Sequence, residues 1–287
     1  MTSPVTGDWQ LPATSALVAR GREAEVFDVG DGAVLKLYLD ASNTSGATRE
    51  ACVLSVLRRT GLSVPEVIAE TVLDGRPGLV LERVAGPDML TTLSRRPWLV
   101  LRAGPALARA QMAVNDVPAP SQLPSMKARL RDRITQSSHL NDAERAQVLR
   151  ILEAQADGDQ LCHGDLHLEN LLGAVARPYV IDWSNAAVGP PAADVARSLV
   201  ILQFGEAPPD APVIVRRLAP ALRGLVVSRY LSSYKSMRPG YLQGLHEWKI
   251  IQAAARLGET TPGETSLIRT WLTGAAQTTL WGNELVQ

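Results

Sequence analysis

Three side chains in one stretch of this chain have the types and spacing that phosphoryl transfer needs. From Leu161 to Trp183 the sequence reads L-C-H-G-D-L-H-L-E-N-L-L, a short link, and then Y-V-I-D-W. Asp165 is followed by four residues and then Asn170, and Asp182 closes an apolar run. In a metal-dependent phosphoryl transfer, one carboxylate orients the attacking hydroxyl and takes its proton. An amide oxygen and a second carboxylate hold Mg2+ against the nucleotide phosphates. Asp, Asn and Asp in this order supply those parts. An Asp after an apolar strand is often only a turn signal. The His-Gly prefix, the apolar flanks and the Ile-Asp-Trp triplet together are much rarer. His163 reads as a structural ring bonded to backbone that braces the loop, and His167 lies where it could touch a phosphate oxygen.

Such a site needs elements that position it. Residues 15–39 read as three short strands, with a tight turn at Gly30-Asp31-Gly32. Strand alternation puts Val34, Lys36 and Tyr38 on one face and Leu35, Leu37 and Leu39 on the other. A lysine in the middle of an apolar strand is costly to bury without an anionic partner. Two partners are available: a nucleotide phosphate, or Glu50, which is read as opening a helix whose apolar face is Cys52, Val53, Val56 and Leu57. Two more strands follow, with the turn between them marked by Gly75 and Pro77, and Gly86-Pro87 ends the strand pattern.

Beyond that break the chain reads as helical. Asp88 is placed as an N-cap, and Gly104-Pro105 is expected to kink or split a helix over 97–117. Residues 125–156 form two helices, the second opened by an Asn141/Glu144 capping box, and Gly158 lets the chain turn toward Asp165. Pro191 and Asp194 fall in the first turn of another helix, and 210–285 is largely helical.

The motif around His163, Gly164, Asp165, His167 and Asn170, with Ile181-Asp182-Trp183, resembles the aminoglycoside phosphotransferase and choline kinase-like family. The resemblance implies an α+β, protein-kinase-like fold of two lobes. A five-stranded antiparallel sheet plus helix would form an N-terminal ATP-binding lobe over 1–84, and 85–287 a larger, mainly helical catalytic and substrate-binding lobe, with a hinge at about 82–87. It implies that Asp165 is the catalytic base and that Asn170 and Asp182 are the magnesium ligands. Trp183 replaces the Phe of the protein-kinase Asp-Phe-Gly. Lys36 would hold the α and β phosphates of ATP, or of GTP, and Glu50 would orient Lys36. The loop over the phosphates has a single glycine, Gly21, so backbone N–H groups from Arg22 to Ala24 take the place of a glycine-rich turn. The carbonyl of Glu82 and the N–H of Val84 would pair with the adenine, and Asp194 would brace the catalytic loop. The C-terminal helices would line the acceptor pocket, with Tyr230, Tyr234, Tyr241 and Trp248 mostly in the core.

Composition narrows the function classes. At 287 residues the chain is long enough for two lobes, and 46% hydrophobic with 20% charged residues marks a globular protein. Net charge is zero, which removes a global bias toward nucleic acid or anionic membrane. Two cysteines, Cys52 and Cys162, make no disulfide framework, and Cys162 reads as a small buried hydrophobe. The N-terminus lacks the charged start and apolar core of a signal peptide, and no run of about 18 apolar residues occurs, so a cytoplasmic location without a transmembrane helix is expected. Residues 201–287 carry nine basic against six acidic side chains. A polycationic aminoglycoside calls for a carboxylate-lined pocket, so this balance leans toward a neutral or singly charged hydroxylated acceptor. Aminoglycosides, other antibiotics, amino sugars and amino alcohols are the classes considered, and the role is antibiotic resistance or metabolism accordingly. Two other readings compete. An inactive nucleotide-binding regulator would show a degenerate base or metal ligand, and none is degenerate. A protein kinase would carry a long activation segment after Asp182 and an open surface for its substrate.

Overall fold

The computed structural model describes residues 16–205 and 213–281. Ser15 of the first strand reading, the N-terminal decapeptide, Glu206 and Asp210 of the charge count, and Glu284 lie outside the described residues. The chain divides into two compact units, the first comprising residues up to 92 with 120–123 and 168–186, the second 93–119, 124–167 and 187 onward.

The first unit is built on five strands, β1 (Ala16–Arg20), β2 (Ala24–Gly30), β3 (Ala33–Tyr38), β4 (Val67–Leu73) and β5 (Arg76–Glu82). They form one antiparallel sheet in the order β1-β2-β3-β5-β4. One face of β3 supplies Ala33, Leu35 and Leu37 to an apolar cluster with Ala69 and Val80. The other face carries Lys36 and Tyr38, both buried. Leu39 falls just beyond the strand and is exposed. Pro77 lies inside β5 opposite Val72, not in the β4–β5 turn, which is Asp74-Gly75.

Helix α1 spans Thr44–Arg59, so it begins well before Glu50. Glu50 is therefore a mid-helix residue, not a helix opener. The buried face is Gly46, Ala47, Glu50, Ala51, Val53, Leu54 and Leu57, while Cys52 and Val56 are partly exposed. The misreading has a simple cause. The first six residues of α1 are small or polar, so no apolar period marks them, and the i, i+3, i+4 spacing runs through glycine and alanine instead.

Two short antiparallel pairs flank the motif. In the second unit β6 (Gln160–Cys162) pairs with β9 (Ala187–Gly189), and in the first β7 (Leu171–Leu172) pairs with β8 (Tyr179–Val180). The rest is helical: α2 (Met89–Arg95), α3 (Val100–Asn115), α4 (Met126–Gln136), α5 (Asp142–Ala154), α6 (Pro191–Phe204), α7 (Val213–Met237), α8 (Leu245–Arg256) and α9 (Pro262–Trp281). Asp88 caps α2, its carboxylate accepting from the Thr91 N–H at 2.8 Å, and Asn141 with Glu144 closes a capping box on α5.

Helix α3 runs unbroken through Gly104 and Pro105, contrary to the split expected from that pair. Gly104 serves close approach: a Cβ there would lie 2.6 Å from the Val226 carbonyl oxygen and 2.7 Å from the Tyr230 nitrogen, so α3 packs backbone to backbone on α7. Pro105 lies inside the helix, past its first turn, and has no N–H to offer the Leu101 carbonyl. The main core of this unit gathers Leu130 and Ile134 of α4, Val148 and Leu152 of α5, the alanines 192, 193 and 196 of α6, and alanines 253–255 of α8. Small residues on both α6 and α8 let these helices meet closely.

Candidate active site

In the first unit, the site starts from the lysine on β3. The Lys36 ammonium donates to both carboxylate oxygens of Glu50, at 2.9 and 2.8 Å, and to Oδ1 of Asp182 at 2.8 Å. Glu50 is almost fully enclosed, and it also accepts from the Tyr38 hydroxyl and from the Trp183 backbone N–H at 3.1 Å. A buried carboxylate is tolerated when its lone pairs are filled, and here four hydrogen bonds from three groups fill them. Burial opposes the charge on Lys36, but Glu50 and Asp182 outweigh it and raise its pKa above the usual lysine value.

Asp182 adopts a left-handed conformation at φ 62°, which Asp tolerates better than most side chains. Its Oδ1 also accepts from the Ser184 hydroxyl at 2.9 Å, and nearly half of its side chain is exposed. Trp183 is buried and ties its indole N–H to the Val180 carbonyl at 3.2 Å. Asn170 ends a short 3-10 turn and precedes β7. Its backbone carbonyl accepts from Ile181 at 3.1 Å, which extends the β7–β8 ladder by one step. Asn170 and Asp182 therefore stand at the same end of one hairpin.

The donors fit a hard divalent cation. An amide oxygen and a carboxylate suit Mg2+, which takes few protein ligands and completes its shell with water and phosphate oxygens. Among the described residues, no group of three or more His, Cys, Asp and Glu side chains gathers to hold a metal by itself.

In the second unit, the loop from His163 to His167 is held by buried polar groups. Asp194, in the first turn of α6, is fully buried. Its carboxylate accepts from the backbone N–H of Gly164 at 2.8 Å and of His163 at 3.1 Å, and from the Asn115 amide at 2.9 Å. Gly164 takes φ 79°, a conformation glycine adopts without penalty. His163 is buried, and its Nδ1 accepts from the Asp165 N–H at 3.3 Å.

A polar ladder across three helices backs this loop. Asn115 donates to the Leu161 carbonyl at 2.9 Å and accepts from the Tyr234 hydroxyl at 2.9 Å. One turn away, Gln111 accepts from Ser198 at 3.1 Å and from the Tyr230 hydroxyl, while Ser198 donates to the Leu166 carbonyl at 2.7 Å. Each helix contributes two residues spaced i, i+4: Gln111 and Asn115 on α3, Asp194 and Ser198 on α6, Tyr230 and Tyr234 on α7. Tyr230, Tyr234 and Trp248 are buried, as aromatic core residues, and Tyr241 is partly exposed.

The Asp165 carboxylate meets a buried arginine. Nε and Nη2 of Arg197 donate to its Oδ1 at 3.1 and 2.9 Å, and Nε2 of His167 lies 3.8 Å from its Oδ2. Burial pushes the Asp165 carboxyl up, but Arg197, His167 and His163 together hold it below the usual carboxylate range. Cys162 is buried, and burial and Asp194 push its thiol up. It packs in the apolar core of this unit.

Lys36, Glu50 and Asp182 are thus brought together in the first unit, and Asp165 and His167 in the second. Arg22 lies exposed in the β1–β2 turn, where the Gly21 N–H donates to the Ala24 carbonyl at 2.9 Å. Glu82 ends β5, its side chain accepting from the Glu66 N–H at 3.1 Å, and Val84 follows two residues on. Sequence reasoning missed Tyr38 as a second donor to Glu50, although the strand alternation had put it beside Lys36. It also missed Arg197, one helical turn past Asp194, and Glu259, for which the sequence holds no signal.

The family profile described as the phosphotransferase enzyme family matches residues 15–234. The chain belongs to this family. A search of curated proteins finds no significant match. Among solved structures, an amicoumacin kinase in complex with AMP-PNP, Ca2+ and Ami is similar at a TM-score of 0.64 and 13% identity, over 95% of this chain and 90% of that one. A choline kinase from Cryptosporidium parvum Iowa II gives 0.58 and 15%, over 94% and 90%. The GDP complex of aminoglycoside 2'-phosphotransferase-IIIa gives 0.57 and 12%, over 93% of each chain. At these identities the likeness is one of fold, and the fold is the protein-kinase-like one. Among the described residues, no helix is long and apolar enough to cross a membrane.

Proposed function

We propose that this chain is an ATP- and Mg2+-dependent kinase that transfers the γ-phosphoryl group to a hydroxyl of a small molecule, with GTP as the alternative donor. The observation that carries this reading is the Lys36 ammonium bonded to both Glu50 and Asp182. That arrangement costs desolvation energy and serves no apolar core, and it matches the phosphate-orienting pair of kinase-like enzymes.

Each residue has a role in this reading. Lys36 grips α and β phosphate oxygens, and Glu50, fixed by Tyr38 and the Trp183 N–H, keeps the ammonium in place. Exchange of the Asp182–Lys36 contact for a phosphate oxygen leaves the Asp182 carboxylate to act with Asn170 as a metal ligand. Bound Mg2+ would neutralise charge on the phosphate oxygens. Asp165 orients the acceptor hydroxyl and accepts its proton, and His167 contacts a phosphate oxygen. Backbone N–H groups from Arg22 to Ala24 cover the phosphates, and the Glu82 carbonyl with the Val84 N–H pairs with the adenine. The nucleotide lobe is 1–84 and the catalytic and acceptor lobe 85–287. Catalysis here is mostly positioning and charge neutralisation.

The acceptor classes that fit are amino sugars, amino alcohols and hydroxylated antibiotics of low charge, with aminoglycosides less favoured by the basic balance of residues 201–287. The test is ADP release from Mg-ATP against aminoglycosides, macrolides, amino sugars, choline-like amino alcohols and hydroxylated amino acids. Stimulation by one class is the expected result. No stimulation by any class, with Mg-ATP binding intact, would move the reading to a nucleotide-binding regulator.

A further inference from the structure

Arg197 is the least expected residue near Asp165. It lies on α6, one turn beyond Asp194, with only 2% of its surface exposed. Burying a guanidinium is costly unless its donors and its charge are both answered. Here Nε and Nη2 both point at one oxygen of Asp165, and Nη2 also donates to Oε2 of Glu259 at 2.6 Å. Nη1 is enclosed with no hydrogen-bond partner. Glu259 comes from the 3-10 turn after α8 and is held in turn by Arg133 of α4, at 2.7 Å on Oε1, and by Arg256 of α8, at 3.8 Å. Arg256 continues the chain of charges to Glu264 at 2.6 Å.

This chain of ions ends on Asp165, whose Oδ1 takes two donors from one rigid, planar group. A carboxylate held this way cannot rotate about its last torsion without breaking two bonds. Its orientation is therefore set from behind, by α6, α4 and the turn carrying Glu259. A structural ion pair could be built anywhere in the core, but this one ends on the residue read as the base.

We propose that Arg197 is a positioning residue for phosphoryl transfer: its two-donor grip on Oδ1 fixes the orientation in which the Asp165 carboxylate meets the acceptor hydroxyl, and Glu259 with Arg133 anchors Arg197. Among the described residues, the charged and titratable groups around Asp165 include Arg197 and Glu259, with Arg133 behind them, and His163 and His167 of its own loop. The proposal rests on the reading of Asp165 as the base.

Two variants separate geometry from charge. Arg197→Lys keeps the positive charge but replaces the two-donor grip by a single ammonium. The double variant Arg197→Gln with Glu259→Gln removes both charges with little change of volume, so no carboxylate of that pair is left buried alone. Thermal unfolding checks that each folds. The state of Asp165 is read by carbon-13 NMR of protein labelled at the aspartate Cγ, with the Asp165→Asn spectrum assigning the signal. Turnover is read as ADP release from Mg-ATP with the acceptor class that stimulates the wild type, or with water as acceptor if none does.

Arg197→Lys is expected to keep the low Asp165 titration midpoint and to lose about tenfold to a hundredfold in kcat, as misplacement of a catalytic group does, with the nucleotide KM unchanged. The double variant is expected to move the midpoint up and to lose kcat as well. A double variant with the wild-type midpoint would overturn the proposal, and so would either folded variant with kcat within twofold of wild type. Full turnover by Asp165→Ala would instead remove the reading of Asp165 as the base, while the midpoint shift would still report the Arg197 contact, so the two failures are distinguishable.

Discussion

A carboxylate that accepts four hydrogen bonds from three groups is a committed one, and Glu50 is such a carboxylate. Lys36, the Tyr38 hydroxyl and the Trp183 N–H all converge on it. Replacing Lys36 by Met leaves Glu50 buried without its cation. Breaking a buried pair from one side costs about 3–5 kcal/mol, and the hydrogen bonds from Tyr38 and Trp183 should keep the loss toward the lower figure. Lys36→Met is therefore expected to lower chemical-denaturation stability by about 3 kcal/mol and to raise the nucleotide KM, measured by urea unfolding and by titration of Mg-ATP. A stability change under about 0.5 kcal/mol, the size of a surface substitution, would mean that the ammonium is no structural partner of Glu50.

At the scale of elements, the loop from His163 to His167 has little regular structure of its own, and its geometry is imposed by helices. Asp194 at the start of α6 gathers His163, Gly164 and Asn115, and the Gln111–Ser198 rung repeats the device one turn away. Asp194→Asn turns one acceptor oxygen into an N–H2 that must face a backbone or amide donor. Loss of a charged acceptor in a buried site costs about 1.5–3 kcal/mol, so the variant should unfold earlier in urea by that amount and lose turnover while still binding Mg-ATP. Wild-type turnover in this variant would show that Asp194 holds the fold and not the loop.

The same elements explain what was readable in the chain and what was not. Asp165, Asn170 and Asp182 fall within eighteen residues, so local spacing was enough to single them out as candidates. Lys36 stands out as a charge in an apolar strand, and turns and alternation mark the five strands, but the order β1-β2-β3-β5-β4, with β5 inserted between β3 and β4, is set by tertiary pairing that local pattern does not carry. Glu50 was found but misplaced, because Gly46 and Ala47 carry the buried face where no large apolar residue marks the helix start. The unbroken α3 was hidden because Gly104 is there for contact with α7, which only the tertiary structure shows. Arg197 and Glu259 join residues far apart in sequence, and a pair of ions looks the same in a sequence whether solvated or buried.

For the whole molecule, the proposed function predicts that nucleotide and metal act as stabilising ligands, since the groups read as binding them are dispersed on unfolding. With Mg-ATP at 100 times its Kd, linkage gives about 2.7 kcal/mol, read as a raised thermal midpoint. EDTA should remove most of that shift if Asn170 and Asp182 hold the metal between protein and phosphates, and Asp182→Asn should reproduce the EDTA result in excess Mg2+. An undiminished shift in EDTA would separate nucleotide binding from the metal. The zero net charge of the chain gives no long-range attraction for an anionic nucleotide. Affinity must therefore come from local groups such as Lys36.

The central claim is that Asp165 orients and deprotonates an acceptor hydroxyl, and it is tested most directly by comparing ADP release from Mg-ATP by the wild type and Asp165→Ala across the acceptor panel, with Mg-ATP binding of both measured by calorimetry. One acceptor class should stimulate the wild type, Asp165→Ala should show no stimulation above background, and nucleotide affinity should be unchanged between them. Equal stimulation of the two proteins would contradict it.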